Sequence, residues 1–399
     1  MKSLKPFLLK TIKQILILSV LAMLPLLFLH PLSIFANEEI PLDMDQNTVQ
    51  EDIQEINSQH QQEPEVYKAK ILKQNEVDCG FVTEEVDFKC FNYDIEIIGG
   101  EYEGEVIETM PTWINNEDDL FKENSKVYVS QTKDVEGNEV WTIESYSREN
   151  ALIFLGMIFV ILIIAITGLR GLTATLGLVT SFCILYFFAI PRLNMGGNFL
   201  IISVVTILVL LCASTFITYG FNFKSLIAFV STFLGILIIA SVGYFVISWL
   251  NISGTGEEAS AMLFDTTAGV VRLSWVFLLS IVIGALGVLD DMTIGQASSM
   301  IEIYDTDKNL NSNELFRKTM NIGKDHIASM VNTLFIAYAG SSFSLIMLLS
   351  ANNPDFRILI NTGFVVEEIV RALVASIGLI LVVPLTSFIA SRIIVKVLK

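Results

Sequence analysis

The chain has 399 residues, 53% hydrophobic and only 17% charged, and its mean hydropathy of +0.60 lies outside the range of ordinary soluble globular proteins. Its net charge of −17 belongs to one segment: residues 37–149 carry 29 acidic and 8 basic side chains, net −21, against +4 elsewhere. A nucleic-acid surface is excluded because the one sizeable polar region lacks a Lys/Arg cluster, and three histidines in the whole chain leave the usual zinc patterns unfilled.

Residues 1–36 begin with Lys2, Lys5, Lys10 and Lys13, continue as an apolar run from about 15 to 29, and close on Pro31 and Ala36. This is the pattern of either a cleaved signal peptide or an uncleaved first helix, and both place the following segment outside the cytoplasm. Residues 37–65 hold eight acidic residues before Glu65 and no Lys or Arg; without a sustained apolar period they read as a flexible tether. Residues 66–148 change character. Runs rich in Val, Ile, Tyr and Phe at 66–72, 86–98, 103–108, 126–131 and 140–145, punctuated by Gly99-Gly100 and Gly137-Asn138, predict five strands in a small, partly closed β-barrel such as the OB type. Cys79 and Cys90 both lie here, where a disulfide can persist and a small core gains from one; buried free thiols are the alternative. Cys183 and Cys212 fall in apolar runs and read as packing residues.

Seven apolar runs follow within residues 149–399, near 151–168, 172–190, 199–219, 225–250, 273–289, 327–350 and 365–390, each long enough for a hydrocarbon core of about 30 Å. Starting outside and alternating, the cytoplasmic positions collect Arg170, Lys224, Lys308, Arg317, Lys318, Lys324, Arg392, Lys396 and Lys399, and the short outer loops only Arg192, Arg272 and Arg357. That asymmetry favours a plasma-membrane protein with a cytoplasmic C-terminus. The expected fold class is therefore an α-helical polytopic membrane protein. It has seven long transmembrane helices plus the N-terminal signal peptide or helix, and a small extracytoplasmic β-barrel-like domain.

The fifth run leaves its apolar stretch without a proline or stop signal. Gly284, Gly287, Asp291, Gly295 and Ser298 share one helical face, which would put Asp291 in an interhelical contact, with Asp290 turned roughly 100° away. A carboxylate at membrane depth costs at least about 2.5–3.5 kcal/mol, so it faces protein or a water-filled path. Asp291 and Asp290 are the ion- or proton-handling candidates, with Thr293, Gln296 and Ser298 as neutral ligands. Lying just past the helix end, in headgroup water, is the plain alternative. In the sixth run Asn332 and Thr333 supply either pathway ligands or interhelical hydrogen bonds, and Asp325 reads as an N-terminal helix cap. Glu367, Glu368 and Arg371 read as an interfacial ion-pair set, and the outer loop 254–270, with Glu257, Glu258 and Asp265, as an acidic loop. No Walker loop, Gly-x-Ser-x-Gly or His-Glu-x-x-His motif is present. The acidic cluster Asp290, Asp291, Glu302, Asp305 and Asp307 has no evident nucleophile or general base. Neither an enzyme nor a cofactor is expected, and metal binding stays open.

Two stretches carry a resemblance. Gly284–Ser299, with Leu-Asp-Asp-Met-Thr-Ile-Gly-Gln-Ala-Ser, and Met320–Ser342, with Met-Asn-Ile-Gly-Lys-Asp and Asn-Thr-Leu-Phe-Ile-Ala-Tyr-Ala-Gly-Ser-Ser, resemble the YibE/F family of polytopic bacterial membrane proteins over about residues 150–395. The resemblance implies that architecture without a substrate. It places the family aspartate on Asp291 and the Asn-Thr pair on Asn332 and Thr333, and lends Asp290 nothing. The leading expectation is a transporter or channel, not driven by ATP, for an ion or small solute, with a polar path around Asp291 and Asn332. The alternative is a membrane scaffold or sensor whose β-domain binds an extracytoplasmic protein partner. The lipid bilayer is the certain partner by composition, and small residues on helix faces permit an oligomer.

Overall fold

The structure is a computed structural model that describes residues 65–77, 89–114, 120–133, 138–194, 197–256, 260, 262–263, 271–351 and 355–398. The N-terminal segment 1–36, nearly all of the tether, Cys79, Gly137 and the acidic residues of loop 254–270 lie outside them. Contacts divide the chain into two units at Ile161/Leu162, within the first long helix.

The first unit is an antiparallel sheet of β1 Val66–Val77, β2 Lys89–Ile97, β3 Val106–Glu108, β4 Thr112–Ile114, β5 Lys126–Lys133 and β6 Glu139–Tyr146. The strand order is β3-β2-β1-β5-β6, with β4 also on β2. Strict alternation makes its core. Tyr67, Ala69 and Ile71 of β1 point inward opposite Val129, Val127 and Ile95, and after Ile71 a bulge turns the exposed Leu72 out of register. The expected barrel is corrected to an open sheet: among the described residues no ladder joins β6 to β3 or β4, and a single Met110 N–H to Trp141 carbonyl bond of 2.8 Å links the two edges. The strand missed in the sequence, β4, is three residues long and follows Pro111. Cys90 is disulfide-bonded. Lys68 pairs with Glu149, and that hydrogen bond holds the ammonium above its ordinary range.

Tyr67, Tyr102 and Trp141 close one end of this core, their rings 5.4–5.5 Å apart. Gly100, at φ +100°, runs beneath them, and a Cβ there would meet Tyr67 Cδ1 at 2.9 Å. Gly100→Ala therefore combines left-handed strain with a clash against a fixed aromatic group, a cost of about 1–2 kcal/mol. Native-state protease cleavage within residues 66–148 is expected to quicken roughly 5- to 30-fold.

The second unit is helical. The long helices are α1 Glu149–Thr167, α2 Leu169–Asn194, α3 Phe199–Ile217, α4 Phe223–Trp249 and α5 Leu273–Thr306. They are followed by α6 Ser312–Ser341, α7 Phe343–Ala351, the short α8 Phe356–Leu359 and α9 Gly363–Leu398. Among the described residues six helices are long and apolar enough to cross a membrane, or seven if α6 and α7, bent by 59°, make one span. α1 is apolar from Ala151 to Ile166 and buries none of its residues, as expected of a helix solvated by lipid. Two helices loosen into π-helix, α2 at Ile184–Ala189 and α3 at Ala213–Ile217.

The bundle centre is α4, α5 and α9, whose Ile236, Ile239, Ile281, Leu289, Leu379 and Val382 are buried together. Glycines set its spacing: the Cβ position of Gly235 is 2.8 Å from Val382 Cγ2, and that of Gly378 is 2.1 Å from Ile239 Cγ1. Gly243 receives Leu278 in the same way. Small residues thus let side chains of one helix reach the backbone of the next. α5 continues past its apolar part to Thr306, and α6 starts at Ser312, well before the apolar run at 327. Asp325 consequently sits in mid-helix instead of capping. The cap is Asn311, in a reciprocal capping box with Glu314.

Candidate functional site

Asp290, Thr293 and Gln296 lie at i, i+3 and i+6 on α5, so one broad face of the helix carries all three into the bundle. All are buried, and Asp290 is 4% exposed. The Thr215 hydroxyl, in the π-helical turn of α3, donates to Asp290 Oδ1 at 2.7 Å. A π turn widens the helix by one residue, a device that recurs at functional sites, and here that turn supplies the donor facing the carboxylate. One turn further along, Thr293 Oγ1 lies 2.7 Å from Thr232 Oγ1 of α4 and 3.1 Å from the Asp290 carbonyl.

Gln296 crosses to the other side of the bundle. Its Nε2 donates to the Thr319 carbonyl of α6 at 3.0 Å and to Ser387 Oγ of α9 at 2.8 Å. Among the described residues its buried Oε1 has no hydrogen-bond partner, nor do the buried hydroxyls of Ser203, Thr206, Ser231 and Ser376. Pro384 removes a backbone donor from α9 beside this contact, while the Thr386 and Ser387 hydroxyls bond the Val382 and Val383 carbonyls. Gly323 is required opposite Gln296, since a Cβ would stand 2.9 Å from Nε2. Buried oxygens without partners are costly in an apolar medium; Gln296 Oε1 is on α5 with the carboxylate, and the hydroxyls are on α3, α4 and α9.

Asp291 is placed differently from Asp290. It is exposed in the helical unit, and the Tyr219 hydroxyl donates to its Oδ1 at 3.3 Å. Tyr219, Gly295 and the half-buried Ser298 line a cavity of about 590 Å³ against Ile163, Thr167, Arg170, Thr218 and Lys224. Gly287 and Gly295 have open space where a side chain would be. The glycine face of α5 therefore borders this cavity and the surface, and the Asp290 face is the one that packs.

A family model described as YibE/F-like protein matches residues 155–396. The chain belongs to the YibE/F-like family. Its apolar helices and this membership together make it an integral membrane protein. No curated protein and no solved structure matches it. The match covers the entire polar network of this YibE/F-like bundle and none of the β-domain.

The two motifs of this family member meet where Gly323 faces Gln296 and Tyr338 faces Gly284, but the Asn-Thr pair of the second does not join the aspartates of the first. Asn332 and Thr333 are exposed on α6, and the Thr333 hydroxyl bonds the Ser329 carbonyl of its own helix at 3.0 Å. Among the described residues, no three His, Cys, Asp or Glu side chains gather as a metal site. Near the opposite end of α5, Arg371 pairs with Glu368 at 2.8 Å, and the buried Glu367 accepts the Gly256 N–H at 3.0 Å. Cys183 and Cys212 are free thiols. Sequence reasoning passed over Thr215 and Tyr219, although four hydroxyl residues, Ser214, Thr215, Thr218 and Tyr219, crowd the end of an apolar span. That clustering was the available signal.

Proposed function

We propose that this protein moves a small ion or solute across the plasma membrane without hydrolysing ATP, the β-domain lying outside and the C-terminus in the cytoplasm. One observation carries the reading. Asp290 is a carboxylate buried within a span and held by a hydroxyl from a π-helical turn, an arrangement whose cost a purely structural helix contact would avoid with apolar residues. In this reading Asp290 binds the cation or proton within the bundle, assisted by Thr215, Thr293 and the open Gln296 Oε1. Asp291, exposed and bonded by Tyr219, attracts cations at the protein surface one residue from Asp290. The bend between α6 and α7 and the π turns supply the irregular backbone that transport sites use.

The test is flux in proteoliposomes containing only the purified full chain, with proton, Na⁺, K⁺ and Mg²⁺ offered separately under an imposed gradient or voltage. At least one is expected to cross well above the rate of empty vesicles. Rates equal to those of empty vesicles for all four would overturn cation conduction.

A further inference from the structure

The cavity at the ends of α1 and α3 has a chemistry that cation transport does not use. Two cations line it, Arg170 at the start of α2 and Lys224 in the first turn of α4, and no Asp or Glu is among its lining residues. Neither cation forms an ion pair with a described residue. Hydroxyls of Thr167, Thr218, Tyr219 and Ser298 complete the polar lining, and isoleucines of α1 and α5 form its apolar side. Both cations sit at the ends of spans, α1 ending at Thr167 and α4 starting at Phe223, which is the level of lipid headgroups. The volume of about 590 Å³ suits a small-molecule site.

From these features we infer that the cavity holds the phosphate headgroup of an anionic phospholipid. Arg170 offers a planar pair of N–H donors to two phosphate oxygens, and Lys224 a mobile point charge to a third. The N-terminal ends of α2 and α4 add partial positive charge from the backbone. The apolar side matters as much: Ile163 and Ile166 line the cavity on α1, a helix that buries none of its residues, so acyl chains can leave along a surface already turned to lipid. A free phosphate would use the cations and leave that apolar wall unused. Basic pockets between helices at the cytoplasmic face are the general form of such sites.

The test uses purified full-length protein in detergent, equilibrated with equimolar phosphatidylglycerol and phosphatidylcholine, with the co-purifying lipid quantified by mass spectrometry. Phosphatidylglycerol is expected to be retained preferentially. Arg170→Gln with Lys224→Gln should weaken its apparent affinity roughly thirtyfold, whereas Lys308→Gln with Lys324→Gln should leave it unchanged. Arg170→Lys, which keeps the charge, should retain preference for phosphatidylglycerol and shows that a loss is not a folding failure. Equal retention of the two lipids, or retention indifferent to Arg170 and Lys224, overturns the inference. So does inorganic phosphate that binds lipid-free protein and displaces phosphatidylglycerol, since that outcome assigns the cavity to a free anion. Because lipid retention is read without any flux, its failure is separable from failure of the transport reading.

Discussion

Asp290→Asn is expected to reduce flux at least about thirtyfold while leaving the protein folded. The carboxamide has nearly the shape of the carboxylate, and its oxygen can still accept the Thr215 hydroxyl at the 2.7 Å contact. What disappears is the negative charge. A hydrogen bond or ligand contact to a charged group is worth about 1.5–3 kcal/mol, and about 2 kcal/mol in a barrier corresponds to that rate. If Asp290 served only as a hydrogen-bonding link between α5 and α3, the asparagine would do as well and flux would persist. Asp291→Asn is the internal comparison. Asp291 is exposed, with Tyr219 as its donor at 3.3 Å, so its loss should weaken cation entry severalfold, in a manner that added salt diminishes. The reverse ranking, with Asp291→Asn silencing the protein and Asp290→Asn harmless, would move the binding step out to the exposed carboxylate.

The ranking of the two aspartates shows how far the sequence could be read. Adjacent residues on a helix point roughly 100° apart, so the pair announces that one acid faces inward without saying which. The glycines at 284, 287 and 295 suggested close helix contact on the Asp291 side, yet Gly287 and Gly295 have open space above them. In the folded chain the inward direction is set by Thr215 and Thr232, hydroxyls on two other helices. Such partners are dispersed along the sequence and no local spacing reveals them. Span positions were legible because hydropathy reports lipid contact directly. Helix ends were not, because α5 and α6 continue through Ser298–Thr306 and Ser312–His326, where polar residues interrupt the apolar run but the helix persists. In the β-domain the alternation of Tyr67, Ala69 and Ile71 marked the core strand. Closure of the sheet depended on edge pairing, which alternation does not encode.

The packing that holds Asp290 in place rests on a reciprocal contact that a single methyl group should disturb. α4 offers Gly235 and, one turn on, Ile239; α9 offers Gly378 and, one turn on, Val382. Val382 fills the space above Gly235 and Ile239 the space above Gly378, with a Cβ on Gly378 only 2.1 Å from Ile239 Cγ1 and 2.3 Å from Cδ1. Ile239 is fully buried in the apolar cluster that also holds Leu379 and Val374, so it cannot swing clear without displacing a packed neighbour. Overpacking of this kind costs typically about 1–3 kcal/mol, occasionally more. Gly378→Ala should therefore lower the thermal midpoint in detergent by several degrees, and Gly378→Val should prevent isolation of monodisperse protein. Shortening the partner decides whether the contact itself is responsible. Ile239→Ala alone leaves a cavity and destabilises by about 2–5 kcal/mol. Combined with Gly378→Ala, it should cost clearly less than the two single changes added together, because the new methyl group occupies part of the vacated space. Strict additivity in that double-mutant cycle would show that the helices do not meet at Gly378 as described, whereas a coupling of about 1 kcal/mol or more establishes the contact. Flux of the double variant then follows from the same geometry. Thr232 lies on α4 seven residues, about two turns, before Ile239, so restoring the α4–α9 spacing should also restore its 2.7 Å contact with Thr293, and with it the activity that Gly378→Ala alone impairs.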